Sequence, residues 1–140
     1  MKVCITGGIA SGKSLLSHYL NDLGVATVDA DGQARVRPFG TAEIINGKLY
    51  IQTGKVKRIY KQLIANPNAE ICAHNGNEWI RIAGELIPDE SVEVKAEMLE
   101  KNPSLKSMYK ADYNNTIVFY FRNATATISS FAGDQETFTF

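Results

Sequence analysis

Cysteine and histidine are scarce in this chain, two of each in 140 residues. Cys4 and Cys72 sit in apolar runs without metal-like spacing, which predicts buried, reduced thiols in a cytoplasmic protein and argues against a disulfide framework or a zinc site. His18 and His74 have no carboxylate or cysteine at a telling distance; neither reads as a general base, and no metal site is expected. Fifteen basic residues balance fifteen acidic ones, so bulk attraction to nucleic acid or to an acidic membrane is not implied. No apolar run is long enough to span a bilayer, and glycines from Gly7 onward come too early for a signal peptide. Internal repeats, linkers and low-complexity tracts are also missing. What remains, a hydrophobic fraction of 44%, suffices for the core of a single domain over residues 1–140, with 1–24 as an atypical leader.

The most informative stretch runs from Val25 to Asn66. Asp31-Gly32 and Asn46-Gly47 lie between β-prone apolar residues, and such dipeptides supply the positive φ angles of tight hairpin turns. The pattern predicts a strand, a long second strand and a third strand in two successive antiparallel hairpins. Lys48 to Thr53 alternates, with Leu49 and Ile51 on one face and Tyr50 and Gln52 on the other, as a half-buried strand does. From Lys55 the period becomes helical through Val56, Ile59, Tyr60, Leu63 and Ile64, and Asn66-Pro67 ends the run. Thr53, Gly54, Lys55, Lys57 and Arg58 thereby meet where a strand becomes a helix. Free amides and clustered cations at such a corner favour an anion.

Beyond it, Ala69 to His74 and Glu78 to Ile87 form a hairpin across Asn75-Gly76-Asn77, ended by Pro88. Trp79, Arg81, Ala83 and Glu85 share one face of its second strand. A helix is expected from Ser91 to Glu100, with Val92, Ala96 and Leu99 at helical spacing, and Asp89-Glu90 at its start. Ser104 to Tyr109 reads as a short helical turn. Ile117 to Ser129 completes the sheet with a bend near Asn123, and Phe131 to Phe140 either packs on a partner subunit or frays.

The leader carries a different signal. After a short strand at 2–6, Gly7 to Ser14 fits G-x-x-x-x-G-K-[ST], in which backbone amides cradle phosphates, Lys13 reaches the outer ones and Ser14 ligates Mg2+. Leu15, Leu16, Tyr19, Leu20 and Leu23 then line one face of a helix. TGGIASGKS with LGVATVDADGQAR resembles dephospho-coenzyme A kinase over about the first 35 residues. That resemblance implies an ATP-dependent small-molecule kinase, with Asp29 or Asp31 as acidic partner.

The blocks GQARVRPFG, NGKLYIQTGKVKRIYKQLIANP and EICAHNGNEWIRIAGEL resemble the FMN-binding split barrels related to pyridoxamine 5'-phosphate oxidase, over roughly residues 25–140. The resemblance implies a mainly β (α+β) fold, an antiparallel split β-barrel with flanking helices that forms a homodimer and holds FMN at its interface. It implies a flavin-dependent oxidoreductase or, failing catalysis, a flavin carrier; no catalytic residue follows. Carried over by position, Arg35, Val36, Arg37 and Pro38 border the flavin, Thr53, Lys57 and Arg58 hold its phosphate, Trp79 meets its edge, and Gln52, Gly54 and Lys55 complete the set. Hairpins after Arg35 suit this reading. A P-loop kinase needs further parallel strands and a lid, which the pattern lacks. The junction of the two resemblances points to a recombined or engineered leader.

Overall fold

A computed structural model of the chain describes residues 23–28, 32–74 and 76–140. The strand expected at 2–6, the Gly7 to Ser14 loop, the body of the helix after it, Cys4, His18, Asp29 and Asp31 lie outside the described residues. Leu23, expected to end that helix, opens a strand. In chain order the elements are β1 (Leu23–Val28), β2 (Ala34–Phe39), β3 (Ala42–Ile45), β4 (Lys48–Gly54), α1 (Arg58–Ala65), β5 (Asn68–His74) and β6 (Glu78–Asp89). Then follow α2 (Val92–Lys101), a 3-10 helix (Pro103–Ser107), β7 (Thr116–Ser130) and β8 (Gln135–Thr139).

The strands form one sheet in the order β2-β1-β5-β6-β7-β4-β3, with β8 added on β7. Every pairing among the described residues is antiparallel. β7 explains the split. One edge runs along β6 from Val118 to Ser130, while the other is shared by β4, opposite Thr116 to Tyr120, and β8, opposite Thr125 to Ser129. Between the two partners Asn123 takes φ 51°, and the β6 register shifts between Ala83 and Glu85, so the bend expected near Asn123 is a bulge that turns the sheet. Gly84 makes it possible. A Cβ there would lie 2.9 Å from both Cα and Cβ of Ala124.

The single long strand expected between the two turns is in fact β2 and β3, broken at Gly40 and Thr41. They lie at opposite ends of the sheet order, because β2 pairs with β1 and β3 with β4. Pro38 is tolerated because β2 is an edge strand. The turn at Asn46 and Gly47, with φ 50° and 75°, is the tight hairpin that its sequence predicts. Pro88 does not end β6: it pairs with Phe119 beyond the last residue of β6 that β5 flanks, where a missing N–H is harmless.

β4 is buried on both faces, not one. Leu49 and Ile51 enter the main core with Val25, Ile71, Ile82 and Phe119, whereas Tyr50 packs with Ile45, Val118, Val94 and Met98 beneath α2. The buried face of α2 is therefore Val94, Lys95, Met98 and Leu99, and Val92 is half exposed. Its start is capped by Ser91, whose hydroxyl accepts from Val94 N–H at 3.3 Å. The last residues do not fray: β8 pairs with β7, Phe138 and Phe140 pack on the core, and Phe140 exchanges backbone hydrogen bonds with Ala124. Cys72 is exposed, contrary to expectation, because it falls on the outward face of β5 between buried Ile71 and Ala73.

Gly84→Ala is expected to destabilise the chain by roughly 1–3 kcal/mol, since the added methyl meets backbone and a small side chain that cannot swing aside. Urea denaturation at unchanged slope reads the loss; an unaltered midpoint would mean that β6 and β7 do not approach so closely.

Candidate cofactor site

Where β4 hands over to α1 the chain cannot remain a strand. Val56 is 79% exposed and belongs to the turn, so the helix begins later than its periodicity suggested and buries Ile59, Gln62 and Leu63. Asn115, which sequence reasoning passed over, builds this turn. Its side-chain oxygen accepts from Val56 N–H at 2.9 Å and its backbone oxygen from Lys55 N–H at 2.7 Å. Gly54 lets Asn115 in, since a Cβ there would meet its side-chain amide at 3.0 Å. Lys57, at the N-cap, supplies no side-chain cap, and the first turn holds no acidic residue. The positive end of α1 is left without a negative partner from its own sequence.

A cavity of about 310 Å³ opens at this corner, within the ~300–1,000 Å³ typical of small-ligand sites. Its polar side is Arg37, Gln52, Thr53 and Lys57, and its apolar side Phe39, Ile59, Leu105, Met108 and Tyr109, with Pro38, Gly40 and Thr41 at the link from β2 to β3. Arg37 shares the inward face of β2 with Phe39, which packs on the core. From there it donates to the Thr27 hydroxyl at 3.3 Å. Partial burial, then the nearby charges of Arg58 and Arg35, push its pKa down. The Lys57 ammonium lies 6.0 Å from the centre of the Tyr109 ring.

Gln52 and Thr53 are 5% and 3% exposed, yet both ends of the Gln52 amide and the Thr53 hydroxyl lack a hydrogen-bond partner. Natural interiors seldom leave such groups unpaired, and where they do the position calls for an explanation. Both residues line the cavity, although successive residues of a strand point to opposite faces.

The remaining expected residues divide. Arg58 opens α1 and is close enough to act on Arg37, whereas Val36 points outward, 74% exposed. Arg35 is exposed on β2. Lys55 does not line the cavity; with the buried Lys95 it is tied to Glu90. Trp79 does not line it either: it packs against Phe131 with ring centres 5.0 Å apart. Its β7 partner is Ser129, eleven residues beyond Val118, the partner of Gln52. The acidic pair expected merely to begin a helix does more, since Asp89 accepts from the Tyr50 hydroxyl at 2.7 Å and from Ser91 N–H at 2.8 Å. Leu105, Met108 and Tyr109 were missed because a 3-10 turn has no strong periodic signal.

Comparison with known proteins agrees with this architecture. A pyridoxamine 5'-phosphate oxidase-related, FMN binding protein from Nostoc punctiforme PCC 73102 shares the fold at 14% identity, with 95% of this chain and 98% of that one covered at a TM-score of 0.59. A heme binding protein from Mycobacterium smegmatis shares it at 16% identity and a TM-score of 0.68, covering 88% of this chain and 56% of that one. The chain thus shares the split-barrel fold of these proteins. A NimC/NimA family protein from Clostridium acetobutylicum is 42% identical, with 91% of this chain and 90% of that one covered at a TM-score of 0.84. The chain belongs to the NimC/NimA family.

The dephospho-CoA kinase family model matches residues 1–45. A dephospho-CoA kinase from Shouchella clausii (strain KSM-K16) is 57% identical over 35 residues, so the match spans 25% of this chain and about 18% of the curated relative. Within the described residues the family match covers β1, β2 and β3. There β1 has both edges filled by antiparallel partners, β2 and β5, which leaves it no edge for a parallel neighbour.

Two outcomes follow. Thr53→Val removes a buried, unpartnered hydroxyl at nearly constant volume, so the ligand-free chain should gain about 1 kcal/mol in urea denaturation; a loss would show that the hydroxyl is paired. Hydrogen bonds from Lys55 and Lys95 lower the pKa of Glu90. The stability it contributes is present above the unfolded value near ~4.3 and lost as pH falls through the folded one. With Glu90 59% exposed, solvent screening holds the effect to about 1 kcal/mol or less, and Glu90→Gln should remove it at pH 7 but not at pH ~2.

Proposed function

We propose that this chain is a flavoprotein, a single domain that holds FMN non-covalently in the cavity at the β4–α1 corner and works as a homodimeric oxidoreductase. The observation that carries the reading is the pairing of buried, partnerless Gln52 and Thr53 polar groups with cations. Among the described residues no ion pair engages Lys57, Arg58 or Arg37. A phosphate there would accept from Thr53, Lys57 and Arg58, relieve the repulsion that Arg37 feels, and complete the positive end of α1. The residues present therefore fit the group. Pro38, Phe39 and Met108 supply apolar walls for a flat ring, and Val36 on edge strand β2 gives a second copy an apolar contact.

When bound, FMN supplies hydride or single-electron chemistry. The chain's own residues bind the phosphate, orient the ring and limit water, and no side chain is given a proton-transfer role. Turnover with a nicotinamide cofactor separates the oxidoreductase from a flavin carrier. The FMN and heme named for the two distant split barrels belong to those proteins. A cavity made of donors suits either phosphate or carboxylate, and the size of the partly enclosed site favours the smaller cofactor.

Purified protein should be yellow or become so with FMN. In a fluorescence titration, Lys57→Ala combined with Arg58→Ala is expected to weaken FMN at least tenfold, the loss of roughly one charge-assisted hydrogen bond or more. Unchanged affinity would place the phosphate elsewhere, and heme binding with no FMN binding would overturn the reading.

A further inference from the structure

We infer that Met108 is a redox-sensitive modification site: a hydroperoxide oxidises its thioether to the sulfoxide, which turns an apolar wall of the cavity into a hydrogen-bond acceptor and weakens the ligand held there. The site follows from its surroundings alone, and its effect on affinity rests on the flavin reading.

Two methionines fall among the described residues, Met98 and Met108, and their surroundings are opposite. Met98 is 0% exposed, packed with Ile45, Val94 and Val118 beneath α2, and its sulfur accepts from the Asn102 side-chain amide at 3.6 Å. Met108 is 64% exposed and lines the cavity beside Leu105 and Tyr109. Its backbone is fixed, since its N–H and that of Tyr109 both donate to the Leu105 carbonyl at 2.9 Å. The thioether is thereby kept at the cavity wall while its flexible side chain stays open to solvent. A dissolved oxidant reaches this sulfur directly. It reaches that of Met98 only after α2 has lifted from the sheet.

The step balances with the peroxide alone. The sulfur gives an electron pair to one peroxide oxygen, an S–O bond forms and the O–O bond breaks. The second oxygen takes the proton of the first and leaves as water, so sulfur loses two electrons and the peroxide gains them. Hydrogen peroxide is what a reduced flavin gives in air, so the proposed activity itself supplies the oxidant.

The added oxygen enters a space lined by donors. The Gln52 amide and the Thr53 hydroxyl are buried there without partners, and Lys57 lines the same cavity. Each of the three can donate to a sulfoxide oxygen. That oxygen competes with a phosphate for them, and the now polar side chain no longer offers a flat ring an apolar wall. Methionine sulfoxide reductases reverse the change, which makes it a switch.

Hydrogen peroxide applied to the flavin-free full chain, followed by digestion and mass spectrometry, tests the site. A fluorescence titration with FMN before and after treatment tests its effect. Met108 should gain one oxygen at least about tenfold faster than Met98, because reactivity follows access. FMN affinity should then fall about five- to tenfold, as expected for the loss of one hydrogen bond. The loss should survive dithiothreitol, which restores reversibly oxidised thiols such as Cys72, and disappear after treatment with a methionine sulfoxide reductase. Met108→Leu, whatever its starting affinity, should show the same affinity before and after peroxide. Equal oxidation of the two methionines, an unchanged wild-type affinity once Met108 is oxidised, or a peroxide-induced loss that persists in Met108→Leu would each overturn the inference. No FMN binding by the untreated chain sinks the flavin reading instead, and the site then stands or falls on the selectivity of Met108 over Met98.

Discussion

The constraint on which the rest of the molecule depends is that β7 cannot give its whole second edge to one partner. Its 15 residues pair with β6 on one side, but the bulge around Asn123 and Gly84 bends the ribbon so that β4 takes the first third and β8 the last. β4 is thereby anchored by its C-terminal half, Tyr50 to Gly54, to the best-buried part of β7. The strand ends abruptly against Asn115 and must turn. A strand buried on both faces that ends sharply in a turn forces polar residues Gln52 and Thr53 into the interior and sets the start of α1 beside the cavity. The site is a consequence of how the barrel is divided.

Charge is sorted at the same place. Glu90 draws Lys55 and Lys95 to itself, and Asp89 is occupied by Tyr50 and Ser91, so the acidic pair after β6 is used within the fold. Among the described residues, no acidic side chain neutralises Lys57 and Arg58, on the other side of the turn, in this way. The result is a local excess of positive charge in a chain whose total is zero. Under the proposed reading, a bound anion would offset this charge.

Much of this was legible before the structure. The two-residue turn at Asn46-Gly47 and the alternating faces of β6 are local effects, and local physics determined them. The antiparallel barrel and the cationic corner followed from them. What was not legible depended on tertiary packing. Nothing in Tyr50 and Gln52 says that α2 will cover their face of β4, and Val56 has helical spacing without a helix to sit in. The break at Gly40 is invisible without knowing that β2 and β3 pair with different partners. Lys55 and Trp79 satisfied the spacing of the binding set, but one is held by Glu90 and the other lies far along β7. The leader's phosphate-loop pattern is locally complete, yet β1, which follows it, is committed on both edges to antiparallel neighbours.

The central claim is that the corner between β4 and α1 recognises a terminal phosphate. Measuring the affinity of the full chain for FMN against riboflavin, which has the same ring and side chain without the phosphate, tests it most directly. The account predicts at least tenfold tighter binding of FMN, with the difference shrinking as salt screens the cations. Equal affinity for the two flavins at every salt concentration would contradict it.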